Sequence, residues 1–217
     1  MTTRSFDPSV YLVTDRALCT RHGLHETVRR AATGGATMVQ LRDSETPRRE
    51  LVDIARALKA LLAPRDIPLL INDFVDVAAA AEADGVHLGQ GDMRPREARY
   101  LLGPNAIIGL SVGNLEELAA SREDLPASDY LGTGPFAATG TKDDAGTAIG
   151  AEGLEAVRAK VVELPIIAIG GISAANAAQA VLAGADGVAV VSAICAADDP
   201  AQAASDIASA VAQARKG

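Results

Sequence analysis

The stretch Gly184-Ala185-Asp186-Gly187-Val188-Ala189-Val190-Val191-Ser192 carries the reading of the fold. A glycine and a small residue turn the chain, an aspartate closes the turn, a short apolar run follows, and a hydroxyl ends it. The same order recurs at Gly35-Ala36-Thr37-Met38-Val39-Gln40-Leu41-Arg42, with a shorter echo at Ala83-Asp84-Gly85-Val86. Such phrases are tight turns that carry a helix back into the bottom of a sheet. The runs after them are continuously apolar rather than alternating, which fits strands buried on both faces, as in a parallel sheet.

Working outward, eight runs share this character: Tyr11–Asp15, Met38–Arg42, Pro68–Asn72, Gly85–Gly89, Ala106–Ser111, Tyr130–Gly134, Pro165–Gly170 and Gly187–Ser192. Between them, helical spacing predicts helices at about 24–34, 47–63, 74–82, 95–102, 114–120, 151–162, 174–183 and 200–214. Thr46-Pro47 and Ser173 read as helix starts. Eight strand–helix units in 217 residues average about 27 residues each, compact but feasible for an α/β fold of the (β/α)8 TIM-barrel class. A doubly wound open sheet is the competing arrangement, and the lack of an obvious edge strand favours closure. No interdomain linker is visible, so residues 1–217 read as one barrel domain.

Composition narrows the function. Twenty Lys and Arg against 28 Asp and Glu give a net charge of −8, a poor match to duplex nucleic acid. Aromatic residues make up only 3%, with no Trp, which argues against a base-stacking surface. No apolar run approaches the length of a membrane span, and the N-terminus lacks an apolar signal core. Cys19 and Cys195 form no disulfide framework. These features predict a cytoplasmic protein with small-molecule partners, no nucleic acid and no membrane; a homo-oligomer is left open.

In a barrel of this class function gathers at the C-terminal ends of the strands. Those ends are polar here: Thr14-Asp15, Gln40-Leu41-Arg42, Asn72-Asp73, His87 to Asp92, Ser111, Gly134 to Lys142, Gly170-Gly171 and Val191-Ser192. Asp73 and Asp92 follow adjacent strands and suit Mg2+ bridged to a phosphate, although either also reads as a helix cap. Gly170-Gly171-Ile172-Ser173 and Ser192-Ala193-Ile194 resemble a phosphate cradle made of backbone amides. Thr139-Gly140-Thr141-Lys142 offers two hydroxyls and an ammonium to phosphate oxygens, or is a solvated loop. Glycines 134, 140 and 146 bracket a polar segment, so 136–147 reads as a lid. His22 and His25 lack a third ligand for zinc. His87 reads equally as structural or functional.

Taken together, these phrases resemble thiamine phosphate synthase, also called thiamine-phosphate pyrophosphorylase. The carriers include Tyr11-Leu12-Val13-Thr14-Asp15, Val39-Gln40-Leu41-Arg42, Ile71-Asn72-Asp73, Val86 to Asp92, Ile108-Gly109-Leu110-Ser111 and Asp129 to Phe136. They continue with Thr139-Gly140-Thr141-Lys142, Ala168 to Ile172 and Val190 to Ile194, in the family's order over nearly the whole chain. The resemblance implies a transferase that joins 4-amino-5-hydroxymethyl-2-methylpyrimidine diphosphate to 4-methyl-5-(2-hydroxyethyl)thiazole phosphate. Thiamine phosphate and pyrophosphate are its products, and Mg2+ its cofactor.

Carried over residue by residue, the resemblance makes Asp73 and Asp92 the metal ligands. Gln40, Arg42, Asn72 and Lys142 contact the pyrimidine or its diphosphate, and Ser111 touches the leaving group or the pyrimidine. Thr139 and Thr141 bind thiazole phosphate, whose phosphate lies against Gly171, Val191 and Ser192. Arg42, Ser111 and Lys142 are the catalytic candidates. Two positions depart from the family pattern: Asp43-Ser44 lacks the lysine that usually follows Gln-x-Arg, with Arg48 or Arg49 as potential substitutes, and Val112-Gly113 replaces the x-His after Ser111. The alternatives are a thiazole tautomerase of the same barrel family and a non-catalytic binder of thiamine intermediates. Epimerases and indole-glycerol-type enzymes share the cradle but not the two carboxylates.

Overall fold

A strand that presents apolar side chains on both faces needs cover on both, and a closed barrel ringed by helices supplies it. The computed structural model, which describes residues 5–140 and 147–216, has that form. Strands β1 (Val10–Val13), β2 (Met38–Leu41), β3 (Leu69–Asn72), β4 (Gly85–Leu88), β5 (Ile107–Ser111), β6 (Tyr130–Thr133), β7 (Ile166–Ile169) and β8 (Gly187–Val190) each pair in parallel with the next. The barrel closes where Val10, Tyr11 and Leu12 of β1 pair with Val188, Ala189 and Val190 of β8. The open-sheet alternative is thereby excluded.

The helices are α1 (Leu24–Gly34), α2 (Arg48–Leu62), α3 (Val75–Ala81), α4 (Pro95–Leu102), α5 (Leu115–Ala120), α6 (Gly150–Arg158), α7 (Ala177–Leu182), α8 (Ser192–Cys195) and α9 (Pro200–Ala214). Fully buried alanines on these helices (Ala31, Ala55, Ala98, Ala180 and Ala204) let them sit close to the sheet. That economy of side-chain volume suits so short a chain. Two helix starts differ from expectation. Pro47 opens α2 without a side-chain cap, because the Thr46 hydroxyl donates to Asp43 instead. Ser173 lies a turn ahead of α7, where its amide donates to Asn176 Oδ1. The side-chain caps lie elsewhere, with Asn114 on α5 and Asp199 on α9. The short α8 was not foreseen, since its four residues lie too close to β8 to show a helical period.

The turn phrases have a defined job at the bottom of the barrel. Thr37, Asp84, Asp129 and Asp186 each stand just before an even-numbered strand. Each donates its amide to a carbonyl at the start of the preceding odd strand. Each also accepts, through its side chain, an amide of that strand: Val10, Leu69, Ile108 and Ile166 in turn, at 2.7–3.0 Å. Three of them also face a cation from the helix that leads into that odd strand: Lys59 of α2, Arg99 of α4 and Arg158 of α6 lie 4.0, 2.6 and 2.9 Å from Asp84, Asp129 and Asp186.

Inside the barrel, Tyr11, Met38, Leu70, Ile107, Tyr130 and Ile167 fill the lower half, and the Phe6 ring meets Tyr130 edge-on at 5.8 Å. Above this plug the inward residues turn polar at Gln40, His87 and Ser111. That change marks the floor of a cavity.

Candidate active site

The cavity occupies about 640 Å³ at the C-terminal end of the barrel. That lies within the range of small-molecule sites. Its wall takes Val13 from β1, Gln40 and Arg42 from β2, and Asn72 and Asp73 from β3. His87 and the Gly89–Asp92 turn follow β4, with Ser111, Gly113 and Glu117 after β5. Gly134, Pro135 and Thr139 belong to the β6 loop, Ile169 to Ile172 to β7, and Ala189, Val191 and Ser192 to β8. Of the residues expected from sequence, Gln40, Arg42, Asn72, Asp73, Asp92, Ser111, Thr139, Gly171, Val191 and Ser192 therefore share one cavity. Thr141 and Lys142 lie outside the described residues, as does half of the expected lid, residues 141–146. At the base of that lid, the Phe136 and Ala137 amides donate to the Ile169 and Gly170 carbonyls, so these two residues are tied to β7.

The carboxylates come from different local causes. Asp73 has φ 59°, a left-handed backbone that non-glycine residues seldom adopt. Its amide is bound to the His87 carbonyl, and its Oδ2 accepts from Asn72 Nδ2 at 2.7 Å. It does not cap α3, whose N-cap is Phe74. Asp92 Oδ2 accepts the Gly89 amide at 2.7 Å, which closes the turn after β4, and it does not cap α4 either. The helix-cap reading thus fails for both. Among the described residues no group of three His, Cys, Asp or Glu forms a metal cluster. Two carboxylates on adjacent strands fit Mg2+ nonetheless, because that ion keeps waters and takes further oxygens from substrate phosphate.

Arg42 is the cation among the described residues lining the cavity. Its amide donates to Thr14 Oγ1 and its guanidinium lies 3.8 Å from the Asp15 carboxylate, so β1 orients it. Ser44 also lines the wall. Neither Arg48 nor Arg49 does: Arg48 pairs with Asp76 at 2.9 Å and lies 3.2 Å over the Phe74 ring. The charge expected of these arginines is therefore not brought to the cavity by them.

On the far side, Gly170 and Gly171 have φ 91° and 65°. A Cβ on Gly171 would stand 2.8 Å from the Ala137 and Ala138 carbonyl oxygens, so this turn packs backbone against backbone. Asn176 holds it, accepting from the Ser173 amide and donating to the Gly171 carbonyl, both at 2.8 Å. Beside it α8 begins at Ser192, and the amides of a first helical turn have no intrahelical acceptor.

Several lining residues were not legible as functional. Glu117 accepts the Gly113 amide at 2.7 Å and receives its own cap from Asn114, an Asn-x-x-Glu spacing that was there to be read. Gln90 donates to the Ser111 carbonyl and to Ser121, tying the β4 turn to β5. Most distinctive is the floor. Gln40 Nε2 donates to the Tyr11 hydroxyl (2.8 Å), which contacts that of Tyr130 (3.0 Å). His87 joins Tyr130 through Nδ1 and Ser111 through Nε2, both at 2.9 Å. Burial pushes both phenols well above their ordinary values, against the hydrogen bond from Gln40 in the case of Tyr11.

Cys19 and Cys195 are both buried and free. A mutual hydrogen bond draws the Cys19 thiol down to about 7 and raises that of Cys195, which burial raises further. Neither lines the cavity.

Comparison with known proteins matches this arrangement throughout its length. Residues 10–194 match the family model for thiamine monophosphate synthase. A thiamine-phosphate synthase of Xanthobacter autotrophicus is 61% identical, over 98% of this chain and 99% of that one. One from Azorhizobium caulinodans is 58% identical, over 92% of each. The solved thiamine phosphate pyrophosphorylase from Pyrococcus furiosus superposes with a TM-score of 0.85 at 38% identity, covering 96% of this chain and 97% of that one. The chain belongs to the thiamine monophosphate synthase family.

Proposed function

We propose that the cavity joins 4-amino-5-hydroxymethyl-2-methylpyrimidine diphosphate to 4-methyl-5-(2-hydroxyethyl)thiazole phosphate, giving thiamine phosphate and pyrophosphate. One observation carries this reading. Asn72, Asp73 and Asp92 stand on one side of a single cavity, the Gly171 and Val191–Ser192 backbone stands across it on β7 and β8, and apolar Val13, Ile169 and Ala189 lie between. Such an arrangement suits two phosphorylated ring compounds held ring to ring.

The aminopyrimidine ring donates electrons to its methylene carbon, so departure of diphosphate leaves a stabilised cation that the thiazole nitrogen attacks. The protein's task is to neutralise the leaving group and align the partners. Asp73 and Asp92 would hold Mg2+, which would supply charge neutralisation at the diphosphate. Arg42 adds a guanidinium on the same side, and Asn72 holds Asp73 while facing the substrate. Lys142 is assigned to the diphosphate and Thr139 with Thr141 to thiazole phosphate, on the strength of the family motif. Gln40 and Ser111 contact the pyrimidine side. The backbone at Gly171, Val191 and Ser192 receives the second phosphate. No covalent nucleophile is required.

The tautomerase reading is disfavoured by Gly113, which offers no side chain where the resemblance places that enzyme's histidine. A Cβ there would stand 3.0 Å from the Gly134 carbonyl oxygen. No described helix is long and apolar enough to cross a membrane. The cytoplasm is the compartment we propose, since two free thiols suit a reducing environment. Mass detection of thiamine phosphate from the two substrates tests the reading; product is expected only when both are present. Folded protein that binds thiazole phosphate and yields none would shift the assignment to a binder or tautomerase.

A further inference from the structure

We infer that Asp15 is a positioning residue whose carboxylate holds the Arg42 guanidinium at the cavity wall while leaving its N–H donors to the diphosphate. The proposal deepens the reading above and rests on Arg42 meeting the diphosphate.

The register of two strands sets up the pair. Val13 of β1 stands opposite Gln40 of β2, so two residues further along each chain Asp15 comes beside Arg42, with Arg16 and Asp43 next in line. The sequence thus lays Asp-Arg against Arg-Asp, and the charges pair crosswise. Asp15 Oδ2 lies 3.8 Å from Arg42 Nη1, and Asp43 Oδ2 lies 3.7 Å from Arg16 Nη1. Hydrogen bonds pin the same two strand ends. The Thr14 amide donates to the Gln40 carbonyl, the Arg42 amide donates to the buried Thr14 hydroxyl, and Arg16 donates to the Thr46 hydroxyl at 2.9 Å. Neither Arg16 nor Asp43 lines the cavity, so their pair only ties the β1 and β2 loops together. Arg42 does line it, and there the pairing bears on the ligand.

Asp15 is itself held in place. Its Oδ1 accepts the Leu18 amide at 3.2 Å, and its carbonyl oxygen accepts the Leu18 and Cys19 amides. The carboxylate is therefore fixed to the turn that follows β1, with Oδ2 toward Arg42. A separation of 3.8 Å is attractive for opposite charges but too long for a hydrogen bond. Among the described residues none accepts a hydrogen bond from the guanidinium, so its planar fork of donors stays open to phosphate oxygens. A carboxylate beside an anion site also repels the anion. Positioning and bare charge thus predict opposite signs when Asp15 is neutralised, because positioning makes the anion bind worse and bare charge makes it bind better.

Asp15→Asn is the variant of choice, since its amide oxygen still accepts from Leu18 while the charge is lost. Calorimetric titration with pyrophosphate and Mg2+ compares the wild type, Asp15→Asn, Arg42→Gln and the double variant. Asp15→Asn should weaken binding about tenfold in the wild type and have no further effect once Arg42 is gone. Tighter or unchanged binding, or equal losses in both backgrounds, would overturn the assignment. Turnover should follow, with kcat/KM for the pyrimidine diphosphate falling about 10- to 100-fold and KM for thiazole phosphate unchanged. A crystal structure of ligand-free Asp15→Asn supplies the check that needs no substrate. The Arg42 guanidinium should be displaced or spread over several rotamers, and a guanidinium that has not moved would contradict the proposal. That result stands apart from a failure of the synthase reading, which would show as wild-type protein that makes no thiamine phosphate.

Discussion

Asp73 concentrates the case at the scale of single residues. Three described non-glycine residues have positive φ, and two of them, Asp66 and Glu82, merely terminate helices. Asp73 alone sits in the cavity wall, and backbone strain tends to persist where a site needs a side chain. Asp73→Gly should therefore raise stability by up to about 1 kcal/mol, read by urea denaturation, while turnover falls at least about 100-fold. Asp73→Asn, which tolerates the same backbone, should fold normally and lose turnover similarly. Wild-type activity of either variant at limiting Mg2+ would remove Asp73 from the ligand set. Gly171→Ala works in the opposite sense. With φ 65° and two carbonyl oxygens 2.8 Å from the new Cβ, it should cost about 2 kcal/mol and raise KM for thiazole phosphate more than for the diphosphate substrate. An unchanged KM ratio would detach this turn from the phosphate. The polar strand ends were legible because each sits in a short distinctive phrase. Tyr11 and Tyr130 were not, since their hydroxyls acquire meaning only when β1 and β6 are brought face to face.

At the scale of elements, the recurring turn phrases are structural, and their spacing reflects the barrel's two-strand period. Each aspartate before an even strand satisfies an amide at the start of the odd strand beside it (the first of β3 and β7, the second of β5), a group that would otherwise be buried without a partner. Asp129→Ala would orphan the Ile108 amide and take from the half-buried Arg99 its carboxylate partner, leaving that guanidinium only backbone carbonyls. It should cost about 3 kcal/mol, measured as a lower denaturation midpoint, with kcat unchanged in the folded protein. A fall in kcat at constant stability would show that the bottom of the barrel communicates with the site. The β2–α2 loop has its own pH dependence. Burial pushes the Asp43 carboxyl up, but hydrogen bonds from the Thr46 side chain and the Thr46 and Glu45 amides win, holding it below its ordinary value. Its stabilisation is complete above the ordinary aspartate value of about 4 and is lost as pH falls through the lower folded value. Amide exchange at Glu45 and Thr46 should quicken over that acid range, and Asp43→Asn should remove the dependence. The helix starts misread at Thr46 and Ser173 have the same cause. Both residues carry the right chemistry for a cap, but Asp43 takes the Thr46 hydroxyl, and Asn176, which receives the Ser173 amide, stands at the start of α7 in place of Ser173.

For the whole molecule, closure is what converts a list of polar strand ends into a site. Residues as distant as Val13 and Val191 become neighbours only because β1 pairs with β8. The eight runs and their order were readable from hydrophobic pattern alone, since parallel strands buried on both faces leave little ambiguity. Helix α8 and the exact strand ends were not, because they depend on which backbone groups the closed barrel leaves over. The account's central claim is that this one cavity expels pyrophosphate from the pyrimidine substrate and delivers the thiazole to the carbon left behind. The most direct measurement is pyrophosphate release with both substrates, with and without Mg2+, alongside each substrate alone. Release that requires both substrates and the metal, matched mole for mole by thiamine phosphate, is the predicted result. Pyrophosphate freed without thiamine phosphate, or release indifferent to Mg2+, would contradict it.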